Sequence, residues 1–302
     1  MPLGPMGHVY DWRSTEQYLA ESPRPLFAAS ASSLADSGAG KKALLHLAVK
    51  EITGGFVHID QTVGDCTSMG GYKVTDYLKC VEIKNGEREE FVAMTASEPI
   101  YAYARVEVAR NIFSGGDGCN GASIVKALQA GTLLRQRYSA NGTLYDFTTY
   151  SGQKARDWGQ RNHGVPDDLE PTMREHSVRS ASLVTSYEEL RDAIYNGYPA
   201  LICSNQGFSD TRDSEGFAKP SGSWSHCMTA IAMDDDPKRP GILIDNSWPV
   251  GWISGPTRWD QPPGSFWVDA NVIEKRMLRP QPDSFVVSGY NGYPSRDLFE
   301  QI

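Results

Sequence analysis

The chain has 302 residues, 40% of them hydrophobic, with Gly 29 and Pro 18. Gly and Pro together make up about 16% of it, below the roughly 25–30% at which low-complexity disorder sets in, so a folded chain of about two domains, or two lobes sharing an interface, is expected. Lys+Arg 29 against Asp+Glu 37 leaves a formal charge of -8, which argues against a nucleic-acid partner and against a basic membrane anchor, because phosphate contact needs a concentrated basic surface.

The five cysteines are Cys66, Cys80, Cys119, Cys203 and Cys227. Their number is odd, no pair has CxxC spacing, and they are too sparse for a disulfide scaffold, so at least one thiol is expected to be free unless it pairs between chains. The N-terminus has no charged stretch followed by an apolar one, hence no signal peptide is expected, and no run approaches 18 apolar residues. A reducing, cytoplasmic setting follows as the expectation.

In chain order, residues 1–40 carry several prolines and the run AASASSLADSGAG, which predicts an extended N-terminal arm outside the core with at most one short helix. KKALLHLAVKEI, from Lys41, is a helix candidate. In GDCTSMGGYKVTDYLKCVEI, Met69, Val74, Tyr77, Leu78 and Val81 fall at helical spacing, with Cys66 at the start. A glycine-rich GGDGCNGAS precedes SIVKALQAGTLL, a helix stopped at Gly131. Residues 138–178 read as loop with short helices at best. Ser186 followed by Glu189 predicts a capped helix over SYEELRDAIYNG. PALICS, HCMTAIAM, GILIDNSW, GSFWVDA and DSFVVSG then read as strands. The fold class is therefore α+β: a helical lobe over 41–180 and a β-rich lobe over 181–302.

Three segments could carry chemistry. In Gln61-Thr-Val-Gly64-Asp65-Cys66 a thiol opens a helix, where the helix dipole and free N–H groups favour a thiolate, although a buried inert cysteine is the commoner outcome. His226 leads an apolar strand, where most histidines are structural. Asn246 ends another, where an asparagine usually marks a turn. Taken together they stop being independent, because Cys66, then His226 160 residues later, then Asn246 20 further on, is the order of a Cys-His-Asn set.

With Gly118-Cys119-Asn120-Gly121 and Asn246-Ser247-Trp248 before Gly251-Trp252, the pattern resembles the papain family of cysteine peptidases from about Asp60 to about Asp269. The resemblance implies a two-lobe fold, a helical lobe and an antiparallel β-barrel-like lobe with a cleft between them. It also implies a peptide- or protein-hydrolysing activity without metal or cofactor. Cys66 would be the nucleophile, His226 its acid–base partner and Asn246 the group that orients the imidazole. Trp248 would shield that hydrogen bond, and Gln61 with the Cys66 N–H would form the oxyanion hole. Gly118, Asn120, Gly121 and Ala122 would lie along the substrate-binding strip.

The sequence departs from the family pattern in several places. Gln61 is five positions before Cys66 rather than six, Thr67 stands for the usual Trp, and Ala122 for a Gly. Val63 replaces the cysteine that would pair with the one matching Cys119, and Pro249 replaces a Gly. These changes resemble a divergent branch found in bacteria and their phages. That leaves two alternatives: a catalytically idle assembly or virion component that kept the fold, with the arm contacting a partner, and a hydrolase of cell-wall peptides. The arm could inhibit or assemble. The polar segment 207–224 reads as a loop that either gates the cleft or is a passive excursion. Asp234-Asp235-Asp236 reads as a solvated hairpin loop, and His46, His58, His163 and His176 lack the spacing of a helical metal pair.

Overall fold

The computed structural model describes residues 4–23, 26–29, 34, 36–87, 90–113 and 115–291; the parts of the arm at 1–3, 24–25, 30–33 and 35, and the end of the β-rich lobe from 292, lie outside them. The arm contains α1 (Trp12–Glu21), capped by the Asp11 side chain accepting from Ser14 N. It is not peripheral. His8, Thr15, Tyr18 and Phe27 are buried, and the Tyr18 hydroxyl donates to Ala181 O at 2.5 Å while its ring packs edge-on against Phe285. The prolines and small residues predict a detached arm because a local window does not contain these distant partners.

The next segment divides. Lys42–Leu44 forms β1, and His46–Thr53 forms α2. Local propensity favours one helix here, but β1 is captured by antiparallel pairing with residues 232–234 of the sheet, a tertiary contact the sequence window does not contain. Cys66–Lys84 forms α3, buried on every side from Cys66 through Glu82. A helix apolar or paired all round is a central helix, and α3 packs between the other helices and the sheet.

Around it lie α4 (Ser97–Tyr103), extended by one wide turn over Ala104–Val108, α5 (Gly121–Ala130), α6 (Gly152–Trp158) and α7 (Glu170–Arg174). Within the stretch expected to be loop, β2 (Arg137–Ala140) and β3 (Thr143–Asp146) form a hairpin. Its turn is Asn141-Gly142, with φ of 46° and 79°, a pair whose positive φ values suit the twist of a two-residue hairpin.

The second lobe comprises β4 (Val178–Leu183), α8 (Tyr187–Tyr195) with the Ser186–Glu189 capping box, β5 (Ala200–Arg212), β6 (Ala218–Asp234), β7 (Gly241–Asp245) and β8 (Phe266–Asp269). The short α9 (Ala270–Val272) and a wide turn over Ile273–Leu278 lead to β9 (Phe285–Tyr290). The strand order is β4-β9-β5-β6-β7-β8, with β1 also on β6, and every pairing is antiparallel. Segment 207–224 is not a loop. β5 and β6 run on through it as a bulged hairpin that turns only at 213–217, and Phe208, Phe217 and Trp224 bury the apolar side of that extension. Serines and charges on the solvent side had hidden this alternation.

One apolar core lies between the sheet, α8 and α2. A second joins α3, α4 and α5 to Leu201, Cys203, Cys227 and Phe285 of the sheet, so the lobes meet along a packed seam. Among the described residues, no helix is long and apolar enough to cross a membrane.

Candidate active site

The seam brings Cys66 and His226 under the same cover. Cys66 is the first residue of α3, and the turn before it is fixed from the helical lobe: Gly64 N donates to Asp117 Oδ2 at 3.0 Å and Tyr101 Oη to Gly64 O at 3.4 Å. His226 lies on β6 opposite Ser204 of β5. Its Nε2 is 2.8 Å from Asn246 Oδ1, and that oxygen also accepts from Ser247 N at 2.7 Å. The second bond fixes the orientation of the Asn246 amide, so the oxygen faces the imidazole and Nε2 carries the hydrogen; Nδ1 is then the basic nitrogen. The Trp248 ring covers the pair at 4.7 Å from the imidazole centroid, tilted by 34°.

A buried lysine joins the Cys66 helix to this strand end. Lys73, two turns along α3 from Cys66, donates through Nζ to Asp245 Oδ1 at 2.8 Å and to Asn246 O at 2.6 Å, while Tyr77 Oη donates to Asp245 Oδ2 at 3.1 Å. Gln61 N bonds to Ser247 O at 2.8 Å and His58 Nε2 to Trp248 O at 2.8 Å, so the chain before Cys66 is also tied to the Asn246-Ser247-Trp248 segment.

The strip opposite is rigid. The Arg105 guanidinium donates to the carbonyls of Phe113, Gly116, Gly118 and Gly159. Asn120 caps α5 by accepting from Ser123 N at 2.7 Å, which turns its side chain away from solvent. Gly121 N and Ala122 N donate to the Asp283 carboxylate at 2.6 and 2.9 Å.

The cleft is filled by the chain's own N-terminal arm. Gly7 N and His8 N donate to Ser225 O, Val9 N donates to Cys119 O, and Cys119 N donates to Gly7 O, so the arm lies as an added strand between the lobes, parallel to the strip at His8 and Cys119. Pro5 O accepts from Gln61 Nε2 at 3.1 Å and from Trp248 Nε1 at 3.0 Å. Gly7 is obligatory here, because a Cβ on it would stand 1.8 Å from Gly64 O. His8 turns inward, its Nε2 3.0 Å from Asp283 Oδ2.

This cover sets the electrostatics. Cys66 and His226 are both 0% exposed. Burial pushes the Cys66 thiol well up, helped by the neighbouring Cys203 and Asp65 and opposed by the main-chain N–H groups of Cys227 and Gly7. Burial pulls His226 down to about 4, against the hydrogen bond to Asn246, with His8 and Lys73 adding to the depression. Asp65, also buried, is pushed up to about 8. At neutral pH both Cys66 and His226 are therefore uncharged, and His226 Nδ1 has no hydrogen-bond partner, the Cys66 thiol included.

The structure thus collects Cys66, His226, Asn246, Gln61, Trp248 and the 118–122 strip around one cleft. Asn120 is a helix cap with a buried side chain, and Gly121 and Ala122 present their N–H groups to Asp283 rather than to the arm's backbone. Sequence reasoning missed Lys73, Asp245, Asp283 and the arm residues Pro5, Gly7 and His8. Lys73 had only a weak signal, a lysine among the apolar positions of α3 that Lys79 shares; Asp283 had none, since it joins the cleft from 57 residues beyond His226. Among the described residues, a ring nitrogen of His8, Cys203 Sγ and an oxygen of Asp283 form a group within 4.8 Å of one another. Three donors, with both Asp283 oxygens already engaged by N–H groups, fall short of a four-ligand zinc site.

No protein-family model and no curated protein sequence matches the chain. Solved structures do. Xylellain, a cysteine protease from Xylella fastidiosa, superposes with a TM-score of 0.54 at 16% identity over 94% of this chain and 95% of its own. Procathepsin B from Trypanosoma congolense gives 0.53 at 9% identity over 95% and 87%, and the digestive procathepsin L 3 of Tenebrio molitor 0.52 at 11% over 95% and 84%. Likeness at such identities is likeness of fold: this chain has the two-lobe α+β fold of the papain-like cysteine proteases, with the cleft described above between its lobes.

Proposed function

We propose that the protein is a papain-like cysteine peptidase held latent by its own N-terminal arm. The observation that carries this is the arm itself, a peptide backbone hydrogen-bonded to both walls of the cleft directly over the Cys66 helix terminus and the His226–Asn246 pair. A cleft that binds one peptide strand by main-chain groups can bind another. With the arm displaced, water reaches both groups, the desolvation that keeps them neutral is relieved, and the Cys66 proton can pass to His226 Nδ1. The thiolate then attacks the acyl carbon. The oxyanion is received by Gln61 Nε2 and the Cys66 N–H, the imidazolium protonates the leaving amine, and water hydrolyses the thioester with His226 as base. Asn246 keeps the ring in its Nε2–H tautomer throughout, and Trp248 keeps water from that bond.

A second reading is favoured by the same filled cleft and by the unpartnered Nδ1: a protein that kept the fold and uses the arm as fixed structure. The two separate under a peptidyl chloromethyl ketone, followed by digestion of casein and of peptidoglycan after the arm has been displaced. Labelling confined to Cys66, with turnover lost in Cys66→Ala, supports the peptidase, and the preferred digest identifies protein or cell-wall peptide as substrate. Intact thiols and no turnover on either polymer would leave the structural reading standing.

A further inference from the structure

Four of the five cysteines lie in the seam between the lobes, and two of them face each other across the sheet. Cys203 of β5 is opposite Cys227 of β6, with their Sγ atoms 2.9 Å apart. A further approach of about 0.9 Å would bring them to the roughly 2.03–2.05 Å of an S–S bond. The backbone suits that bond. Cys203 N donates to Ser284 Oγ at 3.1 Å, and Cys203 O accepts from the same hydroxyl at 3.4 Å, so both main-chain groups of Cys203 turn away from β6. Cys203 and Cys227 are therefore a non-hydrogen-bonded antiparallel pair, the kind whose Cα atoms are about 4.5 Å apart and whose side chains are closest. That separation lies within the roughly 4.4–6.8 Å span of disulfides, so the strands need not move. The other thiols are turned elsewhere. Cys66 faces the main-chain N–H groups of Cys227 and Gly7, Cys119 faces that of Asn120, and Cys80 belongs to the other core. On one side α3 crosses the pair at Gly70, where a Cβ would stand 2.6 Å from Leu201 Cδ1 and 3.3 Å from Cys227 Sγ. On the other lies the arm, a ring nitrogen of His8 being within 4.8 Å of Cys203 Sγ.

We propose that Cys203 and Cys227 are a reversible modification site, a cross-strand disulfide formed by exchange with a small-molecule disulfide of the glutathione type. The proposal concerns the sheet and holds whether or not the cleft hydrolyses peptides. Cys203, once deprotonated, attacks one sulfur of glutathione disulfide. The old S–S bond breaks, and one glutathione leaves as thiolate and takes up a proton. Cys227, deprotonated in turn, attacks Cys203 Sγ and expels the second glutathione. The pair thus gives up two electrons and two protons, two S–H bonds are replaced by one S–S bond, and the glutathione disulfide is reduced to two thiols. Exchange requires a thiolate, and burial pushes Cys227 up to about 11 and Cys203 well up, so the closed chain exchanges slowly and the pair reacts when the arm lifts from Cys203. The product ties β5 to β6 one residue from His226, across a sequence separation of 24 that contains the whole bulged hairpin.

The test uses the full-length wild-type chain, equilibrated with an excess of glutathione disulfide, quenched in acid, alkylated in urea and digested with trypsin, which cuts between the two cysteines at Arg212. A peptide pair linked through Cys203 and Cys227 is expected, with the loss of both thiols to alkylation and full reversal by dithiothreitol. The linked chain is expected to unfold about 5 °C or more above the reduced one, a shift that Cys203→Ser abolishes. Because burial slows the exchange, a second sample is refolded from urea in the same buffer, where access does not limit it. Absence of the linked pair from both samples, linkage of Cys66 or Cys119 in place of either cysteine, or a linked chain that unfolds no higher than the reduced one overturns the proposal. The mapping needs no variant, so it decides even if Cys203→Ser does not fold.

Discussion

Gly7→Val is the sharpest perturbation the cleft offers. The added Cβ would stand 1.8 Å from Gly64 O and 2.4 Å from Gly64 C, backbone atoms that cannot yield because Gly64 is pinned through its N–H to Asp117 and the next residues begin α3. The residue therefore leaves, and the main-chain bonds from Gly7 N, His8 N, Val9 N and Cys119 N go with it. At about 0.5–1.5 kcal/mol for each of these four bonds, the closed state loses roughly 2–6 kcal/mol relative to the open one. Converted at 1.4 kcal/mol per decade, that is about a thirtyfold or greater rise in the open population. The assay is iodoacetamide alkylation at pH 7.5, read by mass spectrometry of the peptide that contains Cys66. The wild-type chain is expected to label slowly, the variant at least about thirtyfold faster at Cys66 while Cys80 is unchanged, and Gly55→Val, whose Cβ meets nothing within 4 Å, as the wild type. Equal Cys66 rates in wild-type and Gly7→Val chains of the same circular dichroism would refute the argument that the arm closes the cleft.

Three further outcomes are expected. In the Cys66→Ala chain, where no thiol proton can pass to His226, acid should loosen the arm: above pH 6.5 the closed and open forms bind the same protons at His226, but as pH falls from 6.5 to about 4 only the open form takes one up, so the closed form loses up to about 3 kcal/mol over that window. The indole N–H resonance of Trp248, whose partner is Pro5 O, follows this by NMR, and a signal unchanged down to pH 4 would contradict it. Lys73→Met should cost about 3–5 kcal/mol in urea unfolding by leaving Asp245 buried and unpaired, Lys73→Met with Asp245→Leu should recover most of it, and Lys84→Met, which breaks only the exposed pair with Glu51, should cost less than about 1 kcal/mol. In the Gly7→Val background, Asn246→Ala should lower kcat by roughly 10²-fold or more with little change in KM, because it frees the imidazole without touching the 118–122 strip; a KM effect alone would assign Asn246 to binding.

The candidate site was legible to the extent that its chemistry is local. A thiol at a helix start, a histidine at the head of an apolar strand and an asparagine at the end of the next are each visible within a short window, and their order in the chain links them. The strands PALICS to DSFVVSG and the Ser186–Glu189 cap could be read for the same reason, since alternation and capping are properties of neighbouring residues. Even the hairpin over Asn141-Gly142 was there to be read, in its turn pair. Tertiary structure decided what depends on contacts between distant residues. It moved Lys42–Leu44 from helix to strand by pairing them with β6, and it extended β5 and β6 through a segment whose polar face resembles a loop. Above all it decided the state of the thiol that the count of five cysteines had left free. Composition said only that at least one of the five thiols was free; the arm folded across the cleft from some sixty residues upstream removes water from Cys66, and without that water neither the thiolate nor the imidazolium is favoured.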